Sequence, residues 1–287
     1  MRYSFGGDEH IFIEVDEAMS LDACFKSLYM TNAVRESRIP GVTEICPANA
    51  SLMIKFDPEI LALDNLLTEL KGFESSAGSA AKTIETRIIE IPVLYNDPWT
   101  LETQIRFRER RHEPSSTDLE FSARLNNYPD VDSFIAAHAA SPWFVSMVGF
   151  VAGLPFTYQL VERSRQIEAP KYLRPRIDTP PLTIGHGGCF GCIYSVRGAG
   201  GYQMFGVTPM PIYDPGGKVS YLQDLILFRP GDIIKFRAVD RTEYDTIVSD
   251  IEVGRFEPRI VPTSFSLEAF VADSEGTNAK LLESLNG

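Results

Sequence analysis

Turn-forming residues divide the second half of this chain into short apolar runs, and this spacing limits the folds available to it. Beyond residue 141 the runs are four to six residues long and are separated by glycine, proline and aspartate. They lie at residues 143–148, 193–196, 225–228 and 233–236, the last of them directly after the turn sequence RPGD. Short apolar runs between turns are typical of strands, so this region is predicted to form a closed or sandwiched antiparallel β-domain.

The first part of the chain has a different pattern, in which strands alternate with helices. Strand-like and helix-like segments follow one another at residues 11–15, 20–28, 42–46, 51–56, 63–70 and 88–93. The first, third, fourth and sixth have strand character, and the other two carry apolar side chains at helical spacing. The order β-α-β-β-α-β predicts a ferredoxin-like α/β domain over residues 1–95.

The position of the domain boundary depends on the last of these strands. Residues 74–83 are mostly small and polar and bury little apolar surface, so they are predicted to form a linker or an exposed loop. If strand 88–93 pairs into the first sheet, the boundary falls near residue 95; otherwise it falls at the linker. The first alternative gives a second domain over residues 96–263.

Helical segments interrupt and follow the β-domain. Two amphipathic helices are predicted within an insertion at residues 97–140, one behind Asp97-Pro98 and one behind the N-cap residue Asp130. Residues 264–287 are predicted to form a C-terminal tail with two short helices. The predicted fold class is therefore α+β, and a length of 287 residues suits two domains.

Composition excludes several classes of function. A net charge of -12 opposes binding to nucleic acid. No apolar run reaches the roughly eighteen residues that a membrane-spanning helix needs, and no signal peptide is visible, so the cytoplasm is the expected location. Four cysteines in a chain of this size are expected to be reduced rather than to form a disulfide framework.

One glycine-rich segment carries residues with potential chemistry. His186, Cys189 and Cys192 form the pattern H-x-x-C-x-x-C, but a fourth ligand is missing nearby, so no metal site is predicted. The glycines around His186 remove side-chain bulk and would let a ligand approach the imidazole, which makes it a candidate catalytic residue. An exposed loop histidine is the alternative interpretation.

An ordered set of motifs resembles the family of allophanate hydrolase subunit 1. These are PGVTE, SLMIKFDP, EIPV, MVGFVAGLPF, GGYQMFGVTP and RPGD, at residues 40–44, 51–58, 90–93, 147–156, 200–209 and 229–232. The family includes a sporulation-kinase inhibitor, the second subunit of 5-oxoprolinase and the matching part of the urea carboxylase carboxyltransferase domain. NDPWT at residues 96–100 and DLEFSARLN at residues 118–126 are similar to a helical segment of the urea carboxylase version.

The resemblance implies a cyclophilin-like β-barrel and a subunit of a two-component, biotin-dependent carboxyltransferase that acts on urea or a related small amide or guanidine compound. The implied partners are a second, related β-barrel subunit, a biotin carboxylase and a biotin carrier. Biotin would then be carried by a partner rather than bound directly as a cofactor. An ATP-dependent complex of the 5-oxoprolinase type and a regulatory kinase-inhibitor type of binding protein remain alternatives.

The resemblance also implies a site on one face of the barrel. Gln203 and Arg176 are expected as catalytic residues because an amide and a guanidinium can orient a planar ureido or carboxylate group. Aromatic walls that exclude water are expected from Phe150, Tyr194 and Tyr202, as substrate-binding residues. The chain departs from the family pattern at four positions, which are Ala152, Arg197, Ala199 and Val207. These departures leave the substrate and the activity open at this point.

Overall fold

The computed structural model describes residues 1–77, 82–222 and 224–285, and the chain divides into two compact units. The first unit consists of Met1–Glu85 and Ser264–Ala272, and the second of Thr86–Thr263 and Asp273–Gly287. The fold combines α-helices with two main β-sheets, one in each unit.

The first unit is a four-stranded antiparallel sheet with helices. Its elements are β1 (Arg2–Gly6), β2 (His10–Glu14), α1 (Leu21–Ser37), β3 (Val42–Pro47), β4 (Ser51–Phe56) and α2 (Leu63–Ser76). The strand order is β1-β2-β4-β3. Ser20 caps α1 by accepting a hydrogen bond from the Ala23 N–H. Alternate residues of β2 and β4, such as Ile11 and Leu52, are fully buried against the helices, as period-two alternation requires.

The predicted last strand of this sheet belongs elsewhere. Residues 88–93 lie in β5 (Thr83–Tyr95), which pairs with strands of the second unit and is absent from the four-stranded sheet. Its alternate side chains, such as Ile89 and Ile91, are fully buried in the core of the second unit. The edge place beside β2 is taken by β1, a strand that was not predicted because its five residues contain no apolar run.

The predicted linker at residues 74–83 is only partly described. Residues 74–76 are helical and complete α2, Thr83 begins β5, and residues 78–81 lie outside the described ranges. The last turn of α2 is fixed by Glu74, which accepts hydrogen bonds from the Met1 ammonium at 2.6 Å and from the Tyr3 hydroxyl at 2.8 Å. These charge-assisted contacts explain why small polar residues here remain helical.

The second unit contains a closed sheet. Its strands after β5 are β6 (Pro142–Val148), β7 (Pro155–Gln159), β8 (Arg176–Thr179), β9 (Thr183–Gly187), β10 (Phe190–Ile193), β11 (Gly198–Gly200), β12 (Gln203–Val207), β13 (Ile233–Ala238) and β14 (Ile260–Ser266). The order β12-β9-β10-β7-β6-β13-β5-β14 closes on itself because β12 also pairs with β5. The pairs β12–β9, β9–β10, β10–β7, β7–β6, β6–β13 and β12–β5 are antiparallel, as predicted, whereas β13 and β5 are parallel. β8 and β11 form a separate two-stranded sheet.

The remaining helices follow β5 along the chain, and one of them, Leu267–Ala272, belongs to the first unit. They are α3 (Pro98–Arg106), α4 (Asp118–Leu125), α5 (Val131–Ala140), α6 (Arg241–Glu252), α7 (Leu267–Ala272) and α8 (Ser274–Ser284). α3 and α5 begin where the sequence predicted, behind N-caps Asp97 and Asp130. α7 and α8 correspond to the two short helices predicted in the tail. None of the helices in the described ranges is long and apolar enough to cross a membrane.

Candidate functional site

A cavity of about 420 Å³ opens in the second unit, and four of its eleven described lining residues are aromatic. We call it the aromatic cavity, and its described lining residues are Phe150, Leu154, Phe156, Lys171, Pro175, Cys192, Tyr194, Ala199, Gly200, Gly201 and Tyr202. The cavity therefore brings together three of the predicted site residues, the ones expected to bind substrate. A volume of this size suits a small organic ligand.

Glycines in β9 create the space for the two tyrosines. A Cβ atom on Gly187 would lie 2.3 Å from Cδ1 of Tyr202, and one on Gly185 would lie 2.9 Å from Cε2 of Tyr194. Both rings therefore pack directly against the strand backbone, which only glycine permits. Burial raises the pKa of both phenols, so each hydroxyl stays protonated and can donate a hydrogen bond at neutral pH.

Phe150 projects from the turn between β6 and β7. Its backbone is left-handed, with φ of 68°, and 68% of its surface is exposed. A positive φ in a bulky residue is uncommon and is tolerated where the surrounding turn imposes it. The turn is closed by a hydrogen bond from the Gly149 N–H to the Leu154 carbonyl at 3.0 Å. An exposed apolar ring at the mouth of a cavity is available to cover a ligand.

Arg176 does not line the cavity but lies buried next to its wall. Its Nη1 donates to the Tyr202 carbonyl at 2.8 Å, and its Nε donates to Thr179 Oγ1 at 3.3 Å. The guanidinium lies over the ring of Tyr172, 4.3 Å from the centroid. Arg176 is fully buried, so its contacts fix the backbone that carries Tyr202.

Gln203 also turns away from the cavity. Its Nε2 donates to the Pro170 carbonyl at 2.6 Å, and 1% of the residue is exposed. Two residues after Pro170, the Tyr172 N–H donates a hydrogen bond to the Gly201 carbonyl at 2.7 Å. The start of β12 and the segment that contributes Lys171 are thus held together by side-chain and backbone hydrogen bonds.

Asp118, at the start of α4, is a buried carboxylate that no sequence pattern had marked. It accepts hydrogen bonds from the Tyr172 hydroxyl at 2.8 Å and from the Met204 N–H at 2.7 Å, and Arg111 Nη1 lies 3.4 Å away. Burial raises its pKa, and the hydrogen bonds and the charges of Arg176 and Arg111 oppose that rise. The inserted helices are therefore joined to β12 through a paired, buried ion. The resemblance of DLEFSARLN to a helical segment indicated the helix α4, but it did not indicate these contacts.

His186 was expected either at a place that a ligand could reach or in an exposed loop, and the structure shows neither. It lies in β9 and is fully buried in the barrel core, where its ring stacks on Phe205 at 5.8 Å and its Nε2 lies 2.9 Å from the Ile167 carbonyl. Burial lowers its pKa to about 4, so the ring is neutral at pH 7. The flanking glycines make room for Tyr202 and do not open a path from solvent to the imidazole.

The H-x-x-C-x-x-C residues do not converge on one point. Cys192 Sγ lies on the Gly185 face of β9, 3.0 Å from a Cβ built there, whereas His186 points to the opposite face because side chains alternate along a strand. Within the described ranges no group of His, Cys, Asp or Glu side chains has the arrangement needed to hold a metal ion.

Most of the positions that depart from the family pattern lie away from the aromatic cavity. Arg197 and Val207 line a separate hollow of about 360 Å³. Arg197 forms a two-point ion pair with Asp178, at 2.7 and 2.8 Å. Ala199 alone among the named departures belongs to the described lining of the aromatic cavity. Three of the four named departures, Ala152, Arg197 and Val207, therefore lie outside the described lining of the aromatic cavity.

Comparisons with known proteins agree on one family. The family model described as carboxyltransferase domain, subdomain C and D, matches residues 1–222. A urea amidolyase from Lachancea kluyveri is 27% identical over 271 residues, which cover 92% of this chain and 15% of that protein. A 5-oxoprolinase subunit from Escherichia coli O157:H7 is 28% identical over 231 residues, covering 80% of this chain and 92% of that protein.

A solved structure shows the same fold. The crystal structure of the Kluyveromyces lactis urea carboxylase superposes with a TM-score of 0.80 at 23% identity and covers 99% of this chain. This chain covers 26% of that protein. The chain thus spans a small part of the urea-metabolising proteins that it matches, and its match extends over nearly the full length of the 5-oxoprolinase subunit.

Proposed function

The chain belongs to the family of carboxyltransferase domains, subdomain C and D, and on this premise we propose that it is half of a two-component, biotin-dependent carboxyltransferase acting on urea or a related small amide or guanidine compound. The aromatic cavity is the observation that carries the proposal. It is the place where Phe150, Tyr194 and Tyr202 come together.

The cavity fits a flat ureido group. Aromatic side chains form much of its wall, a volume of about 420 Å³ admits a small bicyclic ring, and the two phenols supply hydrogen-bond donors. A biotin carried by a partner would supply the carboxyl group to be transferred. The contribution of this chain is to hold the reacting groups in position and to exclude water from them.

Two kinds of residue share this task. Phe150, Tyr194 and Tyr202 are proposed to contact the ligand directly, because they line the cavity. Arg176 and Gln203 are proposed as positioning residues, since one holds the Tyr202 carbonyl and the other holds the Pro170 carbonyl. A small displacement of such groups is costly for a transfer reaction that depends on alignment.

We also propose a fold for each of the two units. A β2-α1-β3-β4-α2 order with β4 between β2 and β3 supports a ferredoxin-like unit in which β1 replaces the final strand. The closed sheet of the second unit supports a cyclophilin-like barrel. The proposed partners are a second, related barrel subunit, a biotin carboxylase and a biotin carrier.

A second candidate is a component of an ATP-dependent complex of the 5-oxoprolinase type. One observation favours it: the Escherichia coli 5-oxoprolinase subunit is matched over 92% of its own length, so a protein of nearly this extent occurs in that class. Both candidates use the chain as one component of a larger enzyme.

Reconstitution tests the proposal and separates the candidates. The chain is purified with its second subunit, the carboxylase and the carrier, and ATP turnover is measured with urea, guanidine or 5-oxoproline. Turnover that depends on urea or guanidine supports the carboxyltransferase. Turnover with 5-oxoproline that needs no biotin carrier supports the second candidate, and the absence of substrate-dependent turnover overturns both.

A further inference from the structure

The aromatic cavity has a distinctive charge. Lys171 is the only Lys, Arg, Asp or Glu among its described lining residues. The Lys171 ammonium lies over the face of Tyr202, 5.4 Å from the ring centroid. A positive cavity is notable in a chain whose net charge is -12.

The charge of Lys171 is not neutralised within the described ranges. Lys26, Lys55 and Lys82 each form an ion pair with a carboxylate, whereas Lys171 forms none with any described residue. Its backbone is nevertheless fixed, because the Lys171 carbonyl lies 2.9 Å from His112 Nε2. Because the backbone of Lys171 is held and its ammonium has no carboxylate partner among the described residues, its charge is available to a ligand.

A second cation lies beside the same wall. Arg110 donates a hydrogen bond from Nη1 to the carbonyl of the lining residue Pro175, and its guanidinium lies over the ring of Phe107 at 5.2 Å. Arg110, like Lys171, has no carboxylate partner among the described residues. Two cations without a described carboxylate partner, both beside one wall of the cavity, raise the local potential and favour an anion in the cavity.

We propose that the aromatic cavity selects a small ligand with a flat, largely apolar body and one carboxylate, and that Lys171 recognises the negative charge. The inference rests on the proposed function for the location of the natural ligand, and it narrows the substrate class. A guanidine compound, cationic at neutral pH, is disfavoured, and a carboxylated amide is favoured.

Three probes of nearly equal size and shape isolate the charge: benzoate, benzamide and benzamidine, which are anionic, neutral and cationic at pH 7. Binding of each to the full chain is measured by ligand-observed NMR titration at low and high salt. Benzoate is expected to bind about threefold to tenfold more tightly than benzamide, and benzamidine more weakly still. The difference should shrink as salt is added.

Variants assign the preference to one residue. Lys171→Met should bring benzoate to the affinity of benzamide, Lys171→Arg should keep the preference, and the matched control Lys280→Met, an exposed lysine on α8, should leave it unchanged. Lys171 is exposed, so these variants are expected to fold, and far-UV circular dichroism verifies it. Equal binding of the three probes, or a benzoate preference that survives in Lys171→Met, overturns the proposal.

The test is independent of turnover. A charge preference without carboxyl transfer in the reconstituted system would contradict the proposed function and leave the anionic selectivity standing. Carboxyl transfer without a charge preference would support the proposed function and contradict the role of Lys171.

Discussion

The side-chain amide of Gln203 donates a hydrogen bond to the carbonyl oxygen of Pro170 at 2.6 Å. This contact joins the first residue of β12 to the segment that carries Lys171, so the two sides of the aromatic cavity share one support. Gln203 follows Tyr202 in the chain but faces away from the cavity. Its influence on a ligand is therefore exerted through the position of its neighbours.

Replacement of Gln203 tests this positioning role. Gln203→Ala and Gln203→Met both remove the donor, so segment 170–172 should loosen, amide exchange at Tyr172 should accelerate about tenfold, and unfolding free energy should fall by about 1 kcal/mol. Hydrogen exchange and urea unfolding measure these effects. Gln166→Ala, which removes a comparable bond to the Gln159 carbonyl at 3.2 Å, should leave Tyr172 exchange unchanged. Unaltered exchange in both Gln203 variants would refute the role.

Asp118 should be important for stability. Asp118→Asn removes the charge that balances Arg111 and Arg176, so a lowering of the unfolding free energy by about 3–5 kcal/mol is expected. Urea unfolding followed by circular dichroism gives the value. Asp132→Asn, at an exposed position in the first turn of α5, should change it by less than about 0.5 kcal/mol. Equal stability of the two variants would contradict the buried network.

Gly187 should not tolerate a side chain. In Gly187→Ala the new methyl would overlap the ring of Tyr202, so the ring must move, and a loss of about 2 kcal/mol in unfolding free energy is expected. Gly198→Ala is the matched control, because a Cβ there meets no atom within 4 Å. Thermal or urea unfolding compares the two, and a Gly187→Ala protein as stable as Gly198→Ala would show that Tyr202 does not lie against β9.

Acid should destabilise the protein partly through His186. Its pKa is about 4 when folded and about 6.5 in an unfolded chain, so the unfolded state binds more protons between these values. Its contribution is complete above pH 6.5 and is lost as pH falls towards 4. Between pH 7 and 4.5 the loss should be about 2 kcal/mol smaller in His186→Phe than in the natural chain. Urea unfolding at the two pH values measures this, and equal losses would contradict a neutral, buried His186.

Local signals in the sequence predicted several of the helices, whereas α6 was not predicted although Asp240 caps it. Asp97-Pro98 and Asp130 mark helix starts by chemistry contained within four residues, and the structure confirms both. The partner of β5 was not predictable in this way, because its pairing with β13 joins residues far apart in the chain. β1 was not predicted because its five residues contain no apolar run, and only Tyr3 among them is partly buried.

The candidate site was predictable only in part, because many of its contacts also join residues that lie far apart in the chain. Motif resemblance pointed to Phe150, Tyr194 and Tyr202, and these do line one cavity. The contacts of Asp118 with Tyr172 and Met204 span 54 and 86 residues, so no local pattern marks them. His186 was misleading because glycines beside a histidine indicate open space, and here that space is filled by Tyr202.

We propose that this chain supplies one half of a carboxyltransferase site and that this site lies at the aromatic cavity. The most direct test of this proposal is the isolated half-reaction, in which the carboxyl label on a biotin carrier is followed to an acceptor, with urea and a carboxylated amide each offered in turn. We expect transfer to require both this chain and its second subunit, and to fall at least about tenfold in Tyr202→Ala while the complex stays assembled. Full transfer without this chain, or an undiminished rate in Tyr202→Ala, would contradict it.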